Sequence, residues 1–459
     1  MEYISTRNSK KTFSFKDVFL KGLAPDGGLF VPQDIPIYSA QELIELKNLS
    51  YNELAEDIIL KFCNDEFNKI EMKDIVQNSY KSFRLKNVVE IKKIGKINLL
   101  ELFHGPTLAF KDIAMQVIGN MYEKILKKNN LKINIVVATS GDTGAAAISA
   151  IKDRKNMKIF VLHPENKISE VQRKFMTTVN SNNVFNISLA ANFDECQKFV
   201  KQMFADKEFS TSINMSGVNS INWARIVIQI VYYFFAYFKV TKKDEKINFS
   251  VPTGNFGDIY AGYIAKKMGL PINKLIIATN SNDILKRVVK TGIYKPAQVE
   301  QTVSPSMDIQ VASNFERLIF DVYSHNSNKV SKLMKDLYTQ GEFVIGKSEL
   351  KKIKTNFCSE SLSEHETKSV IKKIYKSQGI LIDPHTAVAI GVSDKIHLKE
   401  STIILSTAHS SKFSDTVMKE TNIKPELPES LKNILTAKEN YIKLPKELTK
   451  IKDYILKRI

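Results

Sequence analysis

Residues 101–112 read Glu-Leu-Phe-His-Gly-Pro-Thr-Leu-Ala-Phe-Lys-Asp. An apolar run at 97–100 precedes them, and Gly105-Pro106 breaks it, because proline fixes its own φ and has no N–H for a strand ladder. Ile113, Val117 and Ile118 follow at helical spacing. Lys111 therefore sits where a loop enters a helix, close to free backbone N–H groups and the positive end of the dipole. A solvated lysine is the common case in a chain with 67 Lys+Arg. The chemical alternative is a lysine held among Phe110 and Ile113. Burial favours the neutral amine, which forms a Schiff base with an aldehyde cofactor. This stretch alone leaves both open.

Three glycine- or asparagine-bearing loops bear on the choice. Residues 252–258, Pro-Thr-Gly-Asn-Phe-Gly-Asp, lie between an expected strand at 247–251 and a helical pattern. Gly254 and Gly257 let backbone N–H groups turn inward and form an anion nest at a helix start, with Asn255 as a side-chain donor. The Gly-Lys-Ser/Thr ending of a nucleotide loop and the paired glycines of a dinucleotide loop are missing, so a small phosphate-bearing cofactor fits better. A tight turn that needs glycine for steric reasons is the plain alternative. Residues 139–144, Thr-Ser-Gly-Asp-Thr-Gly, repeat the arrangement with more hydroxyls. Ser140, Gly141, Asp142 and Thr143 suit a carboxylate, or form a simple capped turn. Asn219, Ser220, Asn222 and Arg225 precede a long apolar helix; Arg225 is a bidentate partner for phosphate or carboxylate, or else a surface arginine behind an N-cap. Thr407 ends a late apolar run, where its hydroxyl is placed to meet a ring nitrogen or is simply satisfied at a strand end. His104, His385 and His409 each follow an apolar run. No residue spacing suggests a metal site, and no Gly-x-Ser-x-Gly elbow suggests a hydrolase.

The elements that must position these residues alternate. Strands are expected at 97–100, 133–137, 159–162, 184–189, 247–251, 275–278 and 402–405, with helices between them. That pattern predicts an α/β fold: two open parallel-sheet αβα domains with the cofactor cleft between them, plus an N-terminal lead segment. The loops above fall at the C-terminal ends of strands, where such sheets bind ligands. The segments expected are 1–95, a lead without assigned chemistry; 96–245, a substrate-side domain with Lys111; and 246–459, a cofactor-phosphate domain with C-terminal helices. The charged stretch 241–246 marks the second boundary. Residues 328–375 read as mostly helical, and 444–459 as a basic amphipathic helix docked on the body.

With 459 residues and 43% hydrophobic content the chain can bury a large core. Its net charge of +18 comes from scattered lysines, which suggests a lysine-rich surface rather than nucleic-acid binding. Cys63, Cys196 and Cys358 form no pair motif, the start has no apolar signal core, and the apolar run at 226–238 is too short for a bilayer. A cytoplasmic protein with no membrane partner is expected.

Together these loops, in this order, resemble threonine synthase, a pyridoxal-phosphate family of the tryptophan-synthase-β-like fold type. The resemblance runs from Asp26-Gly-Gly-Leu-Phe30 to Ala408-His-Ser-Ser-Lys-Phe413 and includes Asp383-Pro-His-Thr-Ala387. It implies that Lys111 carries pyridoxal 5'-phosphate and is the catalytic base. It implies that Gly254, Asn255, Phe256, Gly257 and Asp258 line the cofactor phosphate loop, and that Thr407 contacts the pyridine nitrogen. O-Phospho-L-homoserine is then the substrate. Ser140–Thr143 would hold its carboxylate, and Asn219, Ser220, Asn222 and Arg225 its phosphate. A monomer or homodimer without nucleic acid is expected. Ser406 and Ser410 depart from the glycine and proline usual in the family, and Asp142 favours this branch over relatives with asparagine. A serine/threonine dehydratase of the same fold type would share Lys111 and the phosphate loop but need no second phosphate site. A basic, non-catalytic binding protein is the alternative of another class.

Overall fold

The computed structural model describes residues 1–166, 168–242 and 245–459, and the chain forms two compact units. The first comprises residues 1–77, 85–104 and 220–425. Its six-stranded sheet runs in the order Phe357–Ser361, Ile272–Thr279, Ile247–Pro252, Thr402–Ser406, Ile97–Glu101, Glu90–Ile94. All neighbours are parallel except the last pair, an antiparallel hairpin closed at Gly95. The central strands are near-continuous apolar runs, as sheets covered on both faces require. One core joins Leu99, Ile276, Ala278 and Ile404 to Val388, Ile390 and Val392 of the helix Pro384–Ile396. The lead segment belongs to this unit. Its residues Tyr3, Tyr51 and Phe62 pack edge-on against Trp223 or Phe235 of the buried helix Trp223–Val240.

The second unit comprises residues 78–84, 105–219 and 426–459. Its five strands are all parallel, in the order Ile442–Leu444, Val184–Leu189, Met157–Pro164, Ile133–Ala138, Met215–Ser216. The tail does dock on the body: Ile451 and Ile455 of the helix Leu448–Leu456 are fully buried with Phe160, Leu162 and Ile187.

The α/β class with parallel sheets is as expected, but the units cut the chain differently. The strand Ile97–Glu101 was expected to share a domain with Lys111. Instead it pairs with Thr402–Ser406, Glu101 opposite Ser406, so it lies in the first unit while Lys111 lies in the second. The long-range ladder outweighs sequence proximity. The helix Trp223–Val240 also joins the first unit rather than the 96–245 segment. Two strands of the six-stranded sheet were unforeseen, Glu90–Ile94 and Phe357–Ser361, the latter inside the stretch read as helical. Leu444 belongs to a strand, not to the tail helix. The expected connection at 241–246 includes Lys243 and Asp244, which lie outside the described residues. No described helix is long and apolar enough to cross a membrane.

Candidate active site

In the second unit Lys111 opens the helix Lys111–Lys128. No side chain caps this helix; the turn before it is fixed from inside. Asp112, fully buried, accepts from the Thr107 N–H at 2.7 Å and the Thr107 hydroxyl at 2.6 Å. Arg84 donates to the Gly105 carbonyl at 2.8 Å. These bonds leave Lys111 little freedom. Its Nζ lies 3.7 Å from Asp142 Oδ2 and 5.7 Å from the Phe110 ring, with the two ionic side chains only 12% and 5% exposed. The lysine is thus half-buried beside a carboxylate, not among apolar groups alone.

Asp142 begins the helix Asp142–Ile151, and its Oδ1 accepts from Gln172 Nε2 at 2.9 Å. Gly141 before it has φ 134°, a conformation glycine adopts without strain. Thr139 Oγ1 accepts from the N–H groups of Gly141 (3.0 Å) and Gly144 (2.9 Å) and closes the turn. The half-buried Ser140 and Thr143 donate their backbone N–H groups to no protein acceptor among the described residues. Asn219 also lies in this unit and is exposed.

The first unit carries the other loop. Residues 253–256 follow the strand Ile247–Pro252, and the helix Gly257–Lys267 starts after Phe256 at φ 66°. Among the described residues the backbone N–H groups of Gly254, Asn255, Phe256 and Gly257 meet no protein acceptor. A Cβ at Gly254 would lie 2.7 Å from the Ser306 carbonyl oxygen, so only glycine fits. Asp258 departs from expectation. Its carboxylate turns inward, away from the nest: Oδ1 accepts from the Tyr232 hydroxyl at 2.5 Å and the Tyr233 hydroxyl at 2.9 Å. Burial pushes its pKa up to about 6, against the two tyrosine bonds and the Arg225 charge.

Arg225 is likewise fully buried, and burial brings it down to about 10, opposed by Tyr232 and Asp258. Asn222 caps the helix Trp223–Val240: its Oδ1 accepts from the Ala224 N–H at 3.1 Å, and its Nδ2 donates to the Phe19 carbonyl at 2.9 Å. Its amide is thereby committed to the scaffold. Ser220 is half-buried.

Thr407 follows the strand Thr402–Ser406, is 6% exposed, and its hydroxyl has no protein partner among the described residues. Ser406 beside it contacts Thr386 Oγ1 at 2.8 Å, and Thr386 donates to Asp383. Asp383 Oδ1 also lies 2.8 Å from His385 Nδ1, while His385 Nε2 accepts from the Ser306 N–H at 3.3 Å. The ring proton is therefore on Nδ1, and His385 is a neutral structural link. His409 Nδ1 pairs with the Ser411 hydroxyl at 2.7 Å. His104 Nε2 lies 3.1 Å from Glu101 Oε2. Glu90, Glu101 and His104 bring ligand-type atoms within 4.8 Å of one another, a grouping invisible in their spacing. His104 and Lys92, 3.8 Å from Glu101, account for it without an ion.

The residues present fit pyridoxal 5'-phosphate. In the first unit the 254–257 N–H groups suit its phosphate and the Thr407 hydroxyl suits its ring nitrogen; in the second, Lys111 suits its aldehyde. Sequence reasoning passed over Asp112, Thr139, Gln172, Tyr232 and Tyr233. Thr139 and Asp112 act within their own turns, whereas Gln172, Tyr232 and Tyr233 reach partners 25–30 residues away.

Comparison with known proteins agrees. A family model described as threonine synthase N terminus matches residues 2–80, one for pyridoxal-phosphate dependent enzymes matches 84–348, and a threonine synthase C-terminal model matches 386–455. Threonine synthase of Pseudomonas aeruginosa is 41% identical, covering 99% of this chain and 98% of its own. That of Saccharomyces cerevisiae is 42% identical over 95% and 94%. The crystal structure of PLP-bound threonine synthase from Brucella melitensis superimposes with a TM-score of 0.97 at 42% identity, covering 100% and 99% of the two chains.

Proposed function

The chain belongs to the threonine synthase family, and we infer that it converts O-phospho-L-homoserine and water to L-threonine and phosphate with Lys111 as its catalytic base. The observation that carries this reading is Lys111 itself: a lysine fixed in the first turn of a helix, 3.7 Å from the Asp142 carboxylate of the 139–144 loop. Pyridoxal 5'-phosphate, when bound, supplies the electron sink that makes the substrate's Cα proton removable. Lys111 takes that proton at Nζ and then a proton from Cβ as the γ-phosphate leaves. Lys111 Nζ returns one of the two protons to Cγ and the other to Cα, while water adds its hydroxyl at Cβ and its remaining proton leaves with the phosphate. Asp142 holds the Lys111 amine in place between these transfers.

The other roles follow from what each group has free. Ser140, Gly141, Asp142 and Thr143 form the substrate-carboxylate turn, with the N–H groups of Ser140 and Thr143 as donors. Gly254, Asn255, Phe256 and Gly257 take the cofactor phosphate through their backbone. Asp258 anchors that loop from behind, and Thr407 takes the ring nitrogen. Asn219, in the second unit, and Ser220, in the first, are the candidates for the leaving phosphate, while Asn222 and Arg225 are buried in the first unit, the Asn222 amide bonded to Ala224 and Phe19. The enzyme works in the cytoplasm as a monomer or homodimer and without nucleic acid. Free cysteines, two of them buried, suit a reducing compartment.

The test uses purified protein with O-phospho-L-homoserine and follows phosphate and threonine together. Equimolar release supports the reading. Phosphate-free turnover of serine or threonine instead would favour a dehydratase and overturn it.

A further inference from the structure

Arg317 lies on the helix Phe315–Val322 and is completely buried. Among its described hydrogen-bond partners none is charged. Nε donates to the Phe30 carbonyl at 3.0 Å, Nη2 to the Ile221 carbonyl at 2.6 Å, and Nη1 to Asn314 Oδ1. The neighbouring carboxylate, Glu316, is taken by Thr6 at 2.6 Å and Arg7 at 2.8 Å. A buried cation among neutral acceptors is an expensive way to fill space, and apolar residues of similar volume often do it better. What the planar guanidinium provides is direction: its fork fixes several acceptors at once.

Asn314 continues the arrangement. Its Nδ2 donates to the Asn255 carbonyl at 3.0 Å and the Ser220 carbonyl at 3.3 Å, and its N–H donates to the Asn255 carbonyl at 3.1 Å. A trans peptide is planar, so its C=O and the next N–H point in opposite directions. Holding the Asn255 carbonyl therefore aims the Phe256 N–H, one of the four nest donors, the other way. Holding the Ser220 and Ile221 carbonyls aims the N–H groups of Ile221 and Asn222 likewise. Phe256 at φ 66° is a conformation that persists only where surroundings impose it, and Asn314 is fastened to the residue before it.

We propose that Arg317 and Asn314 are positioning residues that hold the 254–257 nest and the 220–222 turn in donor geometry, tied through the Phe30 carbonyl to the N-terminal sheet. The lead segment, to which the sequence assigned no chemistry, is then part of how the phosphate loop is held. The proposal rests on the reading of 254–257 as the cofactor-phosphate loop.

The experiment titrates cofactor-free protein with pyridoxal 5'-phosphate and, separately, with pyridoxal, which lacks the phosphate, and takes the ratio of the two dissociation constants. Arg317→Lys keeps the charge and loses the fork. Asn314→Ala keeps Arg317 intact and serves if the arginine variant fails to fold. Ile451→Ala, in the other unit, lowers stability without touching either loop. Arg317→Lys or Asn314→Ala should weaken binding of the phosphorylated cofactor about 10- to 100-fold and leave pyridoxal nearly unaffected, so the ratio collapses. Ile451→Ala should keep the ratio. An unchanged ratio in folded Arg317→Lys and Asn314→Ala, or equal weakening of both ligands, overturns the proposal. Wild-type protein that prefers neither ligand overturns the phosphate-loop reading and the proposal with it.

Discussion

The loops at 139–144 and 252–258 have the same outline, a parallel strand, a glycine turn and a helix start, yet the chain finishes them in opposite ways. In the first, Thr139 closes the turn with its own hydroxyl, and the acidic residue of the helix start, Asp142, is turned to Lys111. In the second, the described backbone donors of 254–257 stay open, and the acidic residue, Asp258, is turned back into the protein against Tyr232 and Tyr233. A carboxylate left facing an open nest would compete with a phosphate for its donors and repel it. Burying Asp258 behind the loop removes that conflict and ties the helix start to the Trp223–Val240 helix. On the proposed reading, the carboxylate stays forward where the incoming group meets Lys111 and is withdrawn where that group is a phosphate.

The sharpest way to break this contrast is to fill the open nest. Gly254→Ala places a Cβ against the Ser306 carbonyl, a backbone atom that cannot rotate away. We expect cofactor affinity to fall about 100-fold or more, the cost of misdirecting charge-assisted bonds, as read by titration of the cofactor-free protein. Asp142→Asn is the matching change in the other loop. It keeps an Oδ1 acceptor for Gln172 and removes the carboxylate from Lys111. We expect kcat to fall about tenfold with cofactor affinity unchanged, by steady-state kinetics on the loaded enzyme. If Asp142→Asn instead weakened the cofactor and Gly254→Ala spared it, the two loops would have to be exchanged.

The smallest expected effect tests the withdrawn carboxylate. Asp258 gives up its proton near pH 6 in the folded protein, above its ordinary value of 3.8, because burial penalises the charge. Between those values the folded form holds the extra proton, so this residue's contribution to stability falls as pH rises through the window. Asp258→Asn, which keeps an oxygen acceptor for the tyrosines, removes that decline. Wild type minus variant should change by about 1–3 kcal/mol between pH 4 and pH 7, read from denaturant unfolding at each pH. A difference that is flat with pH would show that burial does not penalise the Asp258 charge.

Much of this was legible before any coordinates. Glycines and short apolar runs marked both loops, because the turns that aim N–H groups inward need residues with little or no side chain. Parallel strands such as Ile133–Ala138 were plain from their β-branched runs. What stayed hidden depends on partners far away in the chain. Phe357–Ser361, with its Cys-Ser-Glu-Ser end, has no strand pattern of its own and becomes one only by pairing with Ile272–Thr279. The division into units was misread because Ile97–Glu101 answers to a strand some 300 residues later. Nothing in the sequence sets Arg317 apart; its proposed role comes from carbonyls at Phe30 and Ile221. The inward turn of Asp258 has a signal only in retrospect, the Tyr232-Tyr233 pair in an otherwise apolar helix.

The central claim is that Lys111 is the residue that holds the cofactor, and trapping reads it directly. The protein is loaded with pyridoxal 5'-phosphate, reduced with borohydride and digested, and the phosphopyridoxyl group is located by mass spectrometry. The account predicts the label on Lys111. A label on another lysine, such as the fully buried Lys412, or no label on protein that has bound the cofactor, would contradict it.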